Sequence, residues 1–144
     1  MKVLLAPDVY VNASVAGAGL APEQVVNRVL GNKTARQKTS AWVLDTAEAM
    51  LKAHPHFKKD AVDPQMKLIR GLVDIVDANV DGADWQAALV KTANAAGVKR
   101  VITDHPDLAD TTEVDGIEFL SSDAWMVEQI TPPPPPPGGK KKAE

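Results

Sequence analysis

Three short apolar segments constrain the fold more than any other feature of this sequence. They cover residues 2–5, 98–103 and 117–120, and proline, aspartate or serine follows each within two residues. Short, partly β-branched apolar runs of this kind are typical of buried parallel strands. The stretches between them carry apolar residues at helical spacing. The pattern therefore predicts a three-layer α/β/α domain with a mainly parallel central sheet.

Capping residues and apolar spacing predict five helices. The first runs from Pro22 to Leu30, and Gly31 ends it in the left-handed conformation; the second is capped by Ser40 and ended by His54-Pro55-His56. The third follows Pro64 and has Met66, Ile69, Leu72, Val73 and Val76 on one side. The fourth is capped by Asp84 and ended by Gly97, and the fifth is capped by Ser121 and Ser122 and carries Trp125 and Val127. Pro7 is expected to stop the first strand, and Gly17 and Gly19 to form a flexible loop. The tryptophans Trp42, Trp85 and Trp125 should pack against the sheet or a partner, and exposed together they would indicate an interface.

The length and the distribution of proline predict one domain followed by a tail. The chain has 144 residues, of which 44% are hydrophobic, enough for one core over residues 1–130. Residues 131–144 hold six consecutive prolines, two glycines and three lysines. A proline run favours an extended polyproline II conformation, so we expect a disordered tail outside the core. It is either a spacer or a ligand for a protein partner with an aromatic-lined groove.

Charge and composition narrow the classes of partner. A formal charge of −3 argues against nonspecific nucleic-acid binding by the whole surface. A local basic patch is present at Lys33, Arg36 and Lys38, with Lys58 and Lys59 further along the chain. It is either a solvated loop or a contact for RNA or a protein partner. No apolar run approaches the roughly 18 residues of a membrane span, and no signal-peptide pattern is present. With no cysteine in the chain, we expect a cytoplasmic protein.

Four aspartates stand where a parallel α/β sheet places its ligand site. Asp8 follows the first strand, Asp104 and Asp107 follow the second, and Asp84 opens a helix. The carboxyl ends of parallel strands share one edge of the sheet, and converging carboxylates are what Mg²⁺ requires for phosphodiester hydrolysis. These positions are candidate catalytic and metal-binding residues. The alternative is structural, because aspartate is also a common helix cap and turn residue, as at Asp84 and Asp107.

Four stretches carry a resemblance to a known family. They read KVLLAPDVYVNA, APEQVVNRVLG, MLKAHPHF and AAGVKRVITDHPDL, and their order and spacing span residues 1 to 127. In these the chain resembles the PIN-domain family, and more narrowly its toxin–antitoxin ribonuclease branch. The resemblance implies a Mg²⁺- or Mn²⁺-dependent endoribonuclease acting on RNA, and a homodimer. It also implies an apolar strand near residues 33–40, where this chain is polar, so that edge of the sheet is missing or rebuilt.

The departures from the family pattern concentrate at the catalytic positions. The first aspartate of the family falls on Ala6, and its asparagine falls on Asp8. In the Thr-Gly-Asp-x-Asp-Leu motif of the family, Thr103, Asp107 and Leu108 match. Asp104 stands at the glycine position of that motif, and His105 stands at its first aspartate position. An acid of the second helix falls at Thr46 or Ala47, with Asp45 and Glu48 nearby. Ala6 cannot bind a metal, and histidine suits Mn²⁺ or Zn²⁺ better than Mg²⁺.

Two functional hypotheses follow. In the first, a PIN-like domain with a degraded metal site acts as a binding or interaction module. In the second, an active Mg²⁺- or Mn²⁺-dependent endoribonuclease of the toxin–antitoxin type binds one metal with Asp8, Asp84 and Asp107, assisted by Asp104. An unrelated α/β module with the same pattern remains a third alternative.

Overall fold

The computed structural model describes residues 3–15, 20–32, 36–108 and 113–130. The elements in chain order are β1 (Leu4–Leu5), α1 (Pro7–Val15), α2 (Ala21–Leu30), β2 (Gln37–Thr39), α3 (Ala41–Ala53), a 3₁₀ turn (Lys59–Ala61), α4 (Val62–Arg70), β3 (Val73–Ile75), α5 (Trp85–Ala96), β4 (Arg100–Ile102), β5 (Glu113–Val114), β6 (Ile117–Leu120) and α6 (Ser122–Ile130). The loop predicted around Gly17 and Gly19, and the proline-rich tail at 131–144, lie outside these ranges.

The central sheet confirms the predicted α/β class with mainly parallel strands. Its order is β1-β4-β6-β5, in which β1 pairs parallel to β4 and β4 parallel to β6. The only antiparallel pair in the described sheet joins β5 to β6 through a two-residue turn, where Asp115 and Gly116 both have positive φ. Asp-Gly is the sequence that this hairpin turn favours. The arrangement is consistent with a three-layer α/β/α fold.

The polar segment at residues 37–39 rebuilds one edge of the sheet. It forms β2, which pairs parallel to β3 in a separate two-stranded sheet. The side chain of Gln37 joins this pair to β1, because its Oε1 accepts from the Leu5 backbone N–H at 3.0 Å and its Nε2 donates to the Val3 carbonyl at 2.7 Å. One side-chain amide thus supplies both hydrogen bonds that a neighbouring strand would give to β1.

Two predicted elements need correction. The third predicted helix, which was expected to include Val73 and Val76, ends at Arg70, and residues 73–75 form strand β3 instead. Residues 73–76 are rich in β-branched side chains and find partners in β2, so long-range pairing prevails over helical spacing. Gly31 ends α2 with φ of −77°, so the predicted left-handed conformation is wrong there.

One helix was not predicted at all. Pro7 does more than stop β1, since it is the first residue of α1, where its fixed φ suits the helix and no backbone donor is required. The Ala6 carbonyl accepts from the Val9 backbone N–H at 3.1 Å and so starts the first turn. Asp8 is therefore a residue of a helical first turn rather than of a strand end.

The predicted caps of two later helices are confirmed. The Ser40 hydroxyl accepts from the Val43 N–H at 3.4 Å, and α3 ends at Ala53, with His54 as its C-terminal cap. Gly97 ends α5 in the left-handed conformation, with φ of 74°. A single buried core extends from Val3 to Met126, and its largest fully buried side chains are Trp125 and Tyr10. None of the described helices is long and apolar enough to cross a membrane.

Candidate functional site at the carboxyl edge of the sheet

The carboxyl ends of three parallel strands meet as the sequence predicts. Beyond β1 the Ala6 N–H donates to the Ile102 carbonyl, and beyond β4 the Thr103 N–H donates to the Leu120 carbonyl, both at 3.0 Å. This backbone pairing carries β1, β4 and β6 to the same edge. Thr103 and Asp104 come directly after β4, and Asp8 lies in the first turn of α1, three residues after β1, so all three residues lie at this edge.

The carboxylate of Asp8 connects α1 to the end of β4. Its Oδ1 accepts from the Thr103 hydroxyl at 2.8 Å, and its Oδ2 accepts from the Asp104 backbone N–H at 2.7 Å. Asp8 is 7% exposed and Thr103 is fully buried. The Thr103 hydroxyl also accepts from the His105 N–H at 3.1 Å, so it both donates and accepts. Every polar atom in this contact therefore has a partner.

The carboxylate of Asp104 continues the network to the last helix. Its Oδ1 accepts from the Ser122 backbone N–H at 2.8 Å and its Oδ2 from the Ser122 hydroxyl at 2.6 Å. Ser122 is the first residue of α6 and is 1% exposed. The predicted cap residue Ser121 accepts from the Ala124 N–H at 3.1 Å. Two aspartates thus tie α1, β4 and α6 together through hydrogen bonds that span 96 residues of sequence at Asp8 and 18 at Asp104.

Burial raises the pKa of Asp8 above its ordinary value of 3.8. Removal from water is the largest cause and disfavours the ionised form, and the negative charge of Asp104 acts in the same direction. The hydrogen bonds from the Asp104 N–H and the Thr103 hydroxyl lower this pKa and offset part of the effect. The two carboxylates are therefore close enough to interact electrostatically.

The other two sequence candidates have local contacts. The Oδ1 of Asp84 accepts from the Ala87 N–H at 2.8 Å, which is the helix-cap alternative given for this residue. Asp107 is exposed, and its backbone N–H donates to Nδ1 of His105 at 3.2 Å. Within the ranges that the structure describes, no three histidine, aspartate or glutamate side chains are grouped as a metal ion would require.

The acids of the second predicted helix point toward α4. Arg70 donates to Asp45 and to Glu48, each at 3.1 Å, and Glu48 also pairs with Lys52 at 2.9 Å. Of the predicted basic patch, Lys33 lies outside the described residues, and Arg36 pairs with Asp74 at 2.9 Å. Apart from the Glu48–Lys52 pair within α3, these surface ion pairs link neighbouring elements.

A row of aromatic rings lies beside the carboxylates, and sequence reasoning did not assemble it. Trp85 contacts Trp42 edge-on, with ring centroids 5.8 Å apart, and its centroid lies 5.2 Å from the ring of His105. All three rings are half-buried. A buried hydrogen bond of 2.9 Å between Ser40 and Thr92 joins the start of α3 to α5, the two helices that carry Trp42 and Trp85. The placement of Trp42 and Trp85 just after the caps Ser40 and Asp84 was the available sequence signal.

A second surface feature is an apolar groove of about 570 Å³ between α2 and α4. Val26 and Leu30 of α2 line it with Leu68 and Ile69 of α4. Leu68 is 60% exposed, so the groove is open to solvent on this side.

No family model matches the chain, and a comparison with curated proteins finds no match.

Proposed function

We propose that this chain is a PIN-like interaction module whose acidic edge stabilises the fold instead of binding a catalytic metal, and that it acts in the cytoplasm. One observation carries the proposal. All four carboxylate oxygens of Asp8 and Asp104 already accept hydrogen bonds from Thr103, Ser122 and the backbone. Acids that hold a divalent cation present oxygens toward a common point, whereas these face internal donors.

The remaining donor set fits a metal poorly. A Mg²⁺ ion at Asp8 would have to use the second lone pair of an oxygen that already accepts from Thr103 or Asp104, on a side chain that is only 7% exposed. Asp84 is engaged as a helix cap, and the ordinary metal positions of the family hold Ala6 and His105. The residues present therefore support a structural role for the network more strongly than an ionic one.

The second candidate is the Mg²⁺- or Mn²⁺-dependent endoribonuclease. The observation that favours it is the electrostatic interaction between Asp8 and Asp104, because a divalent cation stabilises two neighbouring carboxylates. It requires the ion to lose part of its hydration, enter a largely buried site and coordinate oxygens that already accept from Ser122 and Thr103, which costs free energy. This extra cost is why we place it second.

A cleavage assay separates the two candidates. Single-stranded RNA is incubated with the native chain and with Asp8→Asn and Asp84→Asn, in Mg²⁺ and then in Mn²⁺. Asparagine keeps the cap of α5 and one acceptor at position 8, so folding is retained while a metal ligand is lost. We expect the same background cleavage from all three proteins. Metal-dependent cleavage by the native chain, reduced a hundredfold or more in either variant, would establish the nuclease instead.

A thermal titration with the metal alone tests binding without substrate. An ion that binds only the folded chain with a Kd of about 1 mM would stabilise it by about 1.4 kcal/mol at about 10 mM. We expect Mg²⁺ to change the melting temperature of the native chain and of Asp8→Asn by the same amount. Na⁺ at the same ionic strength should produce the same change in both proteins. A melting temperature that rises with Mg²⁺ in the native chain alone would contradict the proposed structural role.

A further inference from the structure

The aromatic surface formed by Trp42, Trp85 and His105 has the composition of a binding site. The rings come from three separate segments, namely the start of α3, the start of α5 and the turn after β4, and each ring is only half-buried. Trp85 is in the middle, in contact with both neighbours. Clustered, partly exposed tryptophans are enriched at protein interfaces, because each offers a large rigid apolar area at low entropy cost.

The charge around this surface is negative. The segments that carry the rings, residues 40–45, 81–87 and 103–107, contain five aspartates and neither lysine nor arginine. Asp45 is paired with Arg70 and Asp104 with Ser122, whereas Asp81, Asp84 and Asp107 are exposed and form no ion pair within the described residues. An aromatic platform bordered by carboxylates disfavours a nucleic-acid strand, because phosphates would meet like charge. It favours a ligand with apolar rings followed by positive charge.

The chain itself contains a segment with this chemistry. Residues 132–137 are all proline, and after two glycines residues 140–142 are all lysine. Proline-rich segments bind aromatic-lined grooves because the polyproline II conformation is preformed and loses little entropy on binding. We propose that the aromatic surface of one copy binds residues 131–144 of a second copy, with prolines against the rings and lysines near Asp81, Asp84 and Asp107. The inference rests on the proposed interaction function and names its partner.

The position of α6 favours a second copy over the same chain. Ser122 begins α6 in contact with Asp104, beside the aromatic surface, and nine residues later the helix ends at Ile130. At 1.5 Å per residue, Ile130 lies about 12 Å along the axis from Ser122. Only Thr131 separates it from the first proline. In the same chain a stiff proline run that starts at this far end of α6 would have to turn back toward the rings within one residue, whereas the tail of a second copy can approach them without that reversal.

The first test measures association of the full chain. Sedimentation velocity is recorded over a hundredfold range of concentration for the native protein and for a full-length variant with the six prolines replaced by alternating glycine and serine. We expect the native protein to associate as its concentration rises and the variant to remain monomeric. Equal behaviour of the two proteins would overturn the proposal. A difference in tryptophan fluorescence between the native protein and the glycine–serine variant that does not change with concentration would also overturn it, because it would show binding within one chain.

The second test measures binding of a synthetic peptide of residues 131–144 to the glycine–serine variant, with tryptophan fluorescence as the signal. Trp125 is fully buried, so a change on titration reports Trp42 and Trp85. We expect Trp85→Phe to bind like the unmodified protein and Trp85→Leu to bind about tenfold more weakly, as for a central interface aromatic. If circular dichroism shows that Trp85→Leu does not fold, His105→Ala replaces it, with the same expected direction.

The charge contribution is tested with matched partners. Asp84→Asn keeps the cap of α5 and removes one negative charge, and a peptide with serine in place of the three lysines removes the complementary charges. Each change should weaken binding about threefold, and the serine peptide should lose most of the salt dependence. A peptide that binds equally well to Trp85→Phe and Trp85→Leu, or displacement by single-stranded oligouridine, would overturn the proposal. RNA cleavage in the earlier assay is a separate outcome that bears only on the metal.

Discussion

Two polar side chains hold β1 in place from different directions, and they differ in charge. Gln37 contacts β1 from the β2 side with a neutral amide that both donates and accepts. Asp8 connects the end of the β1–α1 segment to β4 with a carboxylate that only accepts. Both are almost fully buried, at 5% and 7% exposed. Both side chains attach β1 to a neighbouring element, but the amide of Gln37 does not titrate, whereas the carboxyl group of Asp8 does.

The difference explains why a buried acid alone does not indicate catalysis. The Gln37 side chain forms hydrogen bonds with two backbone groups and has no group suited to acid–base catalysis. It is nevertheless as buried as the Asp8 side chain and has as many hydrogen-bond partners. Asp8 has the same number of partners, and its perturbed pKa comes mainly from burial. Perturbed acids concentrate at functional sites, but internal hydrogen-bond networks perturb them too. Replacing the amide at position 37 by a carboxylate, and the carboxylate at position 8 by an amide, tests how charge and burial each affect stability.

Gln37→Glu should have the largest effect. Glutamate keeps the acceptor for the Leu5 N–H but cannot donate to the Val3 carbonyl when ionised, so a buried charge faces a carbonyl oxygen. We expect a loss of about 3–5 kcal/mol in the free energy of unfolding at pH 7, measured by urea denaturation. Protonation restores the donor. The pKa of the new acid is therefore raised in the folded state, and stability should return as the pH falls through it.

Lys38→Glu is the matched control for that substitution, because it makes a charge change in the same strand at an exposed position. It should alter stability by less than about 0.5 kcal/mol. If Gln37→Glu were equally mild at pH 7, the amide bridge would not be what attaches β2 to β1.

Asp8→Ala should have the second largest effect. It leaves the fully buried Thr103 hydroxyl and the Asp104 N–H without their acceptor, which should cost about 2–3 kcal/mol. Asp8→Asn retains the shape, and its amide can accept from the backbone and donate to Thr103, so a loss of about 1 kcal/mol is expected. Chemical denaturation of the three proteins gives the order. Asp8→Ala more stable than the native chain would show that the carboxylate is kept at a net cost for some other purpose.

The pH dependence of stability distinguishes the two bridges more finely. The folded pKa of Asp8 lies above 3.8, so between 3.8 and that folded value the folded chain retains a proton that the unfolded chain has lost. The contribution of this group is therefore fully present below 3.8 and is lost as the pH rises through the folded pKa. The stability of the native chain relative to Asp8→Asn should increase as the pH is lowered across this window. Urea midpoints at several pH values measure the difference, and a decrease on acidification would contradict it.

Helix α5 shows how much the sequence can predict. Asp84 caps it and Gly97 ends it, both by contacts within four residues, and both boundaries were predicted. Strand β2 shows why the rest was not predicted. Gln-Lys-Thr has no apolar pattern, and its burial depends on Gln37 contacting β1 more than thirty residues away. Long-range partners of this kind leave no local signal in one sequence.

The acidic edge was predicted in position but not in its contacts. Strand order alone placed Asp8 and Asp104 together, because parallel strands end at one edge. The direction of the Asp8 side chain depends on α1, which was not predicted because a proline after an apolar run indicates the end of a strand as readily as the first residue of a helix. The partner of Asp104 depended on Ser122, a predicted cap that donates to an acid instead. Both errors concern which of several nearby groups a polar side chain selects.

Glu128→Gln should have the smallest effect and completes the comparison with an exposed charged bridge. Arg100 of β4 contacts Glu118 at 2.8 Å and Glu128 at 2.7 Å, which links β4, β6 and α6 much as Asp104 links β4 to α6. The hydrogen bond from Arg100 lowers the pKa of Glu128, so its contribution is present above the unfolded pKa and lost as the pH falls. Because Glu128 is about half exposed, water screens the pair, and removal of its charge should cost less than about 1 kcal/mol. The loss should shrink further in 0.5 M salt, where the Debye length is under about 5 Å. If Glu128→Gln cost as much as Asp8→Ala, the number of elements that a side chain joins, rather than its burial, would set its contribution to stability.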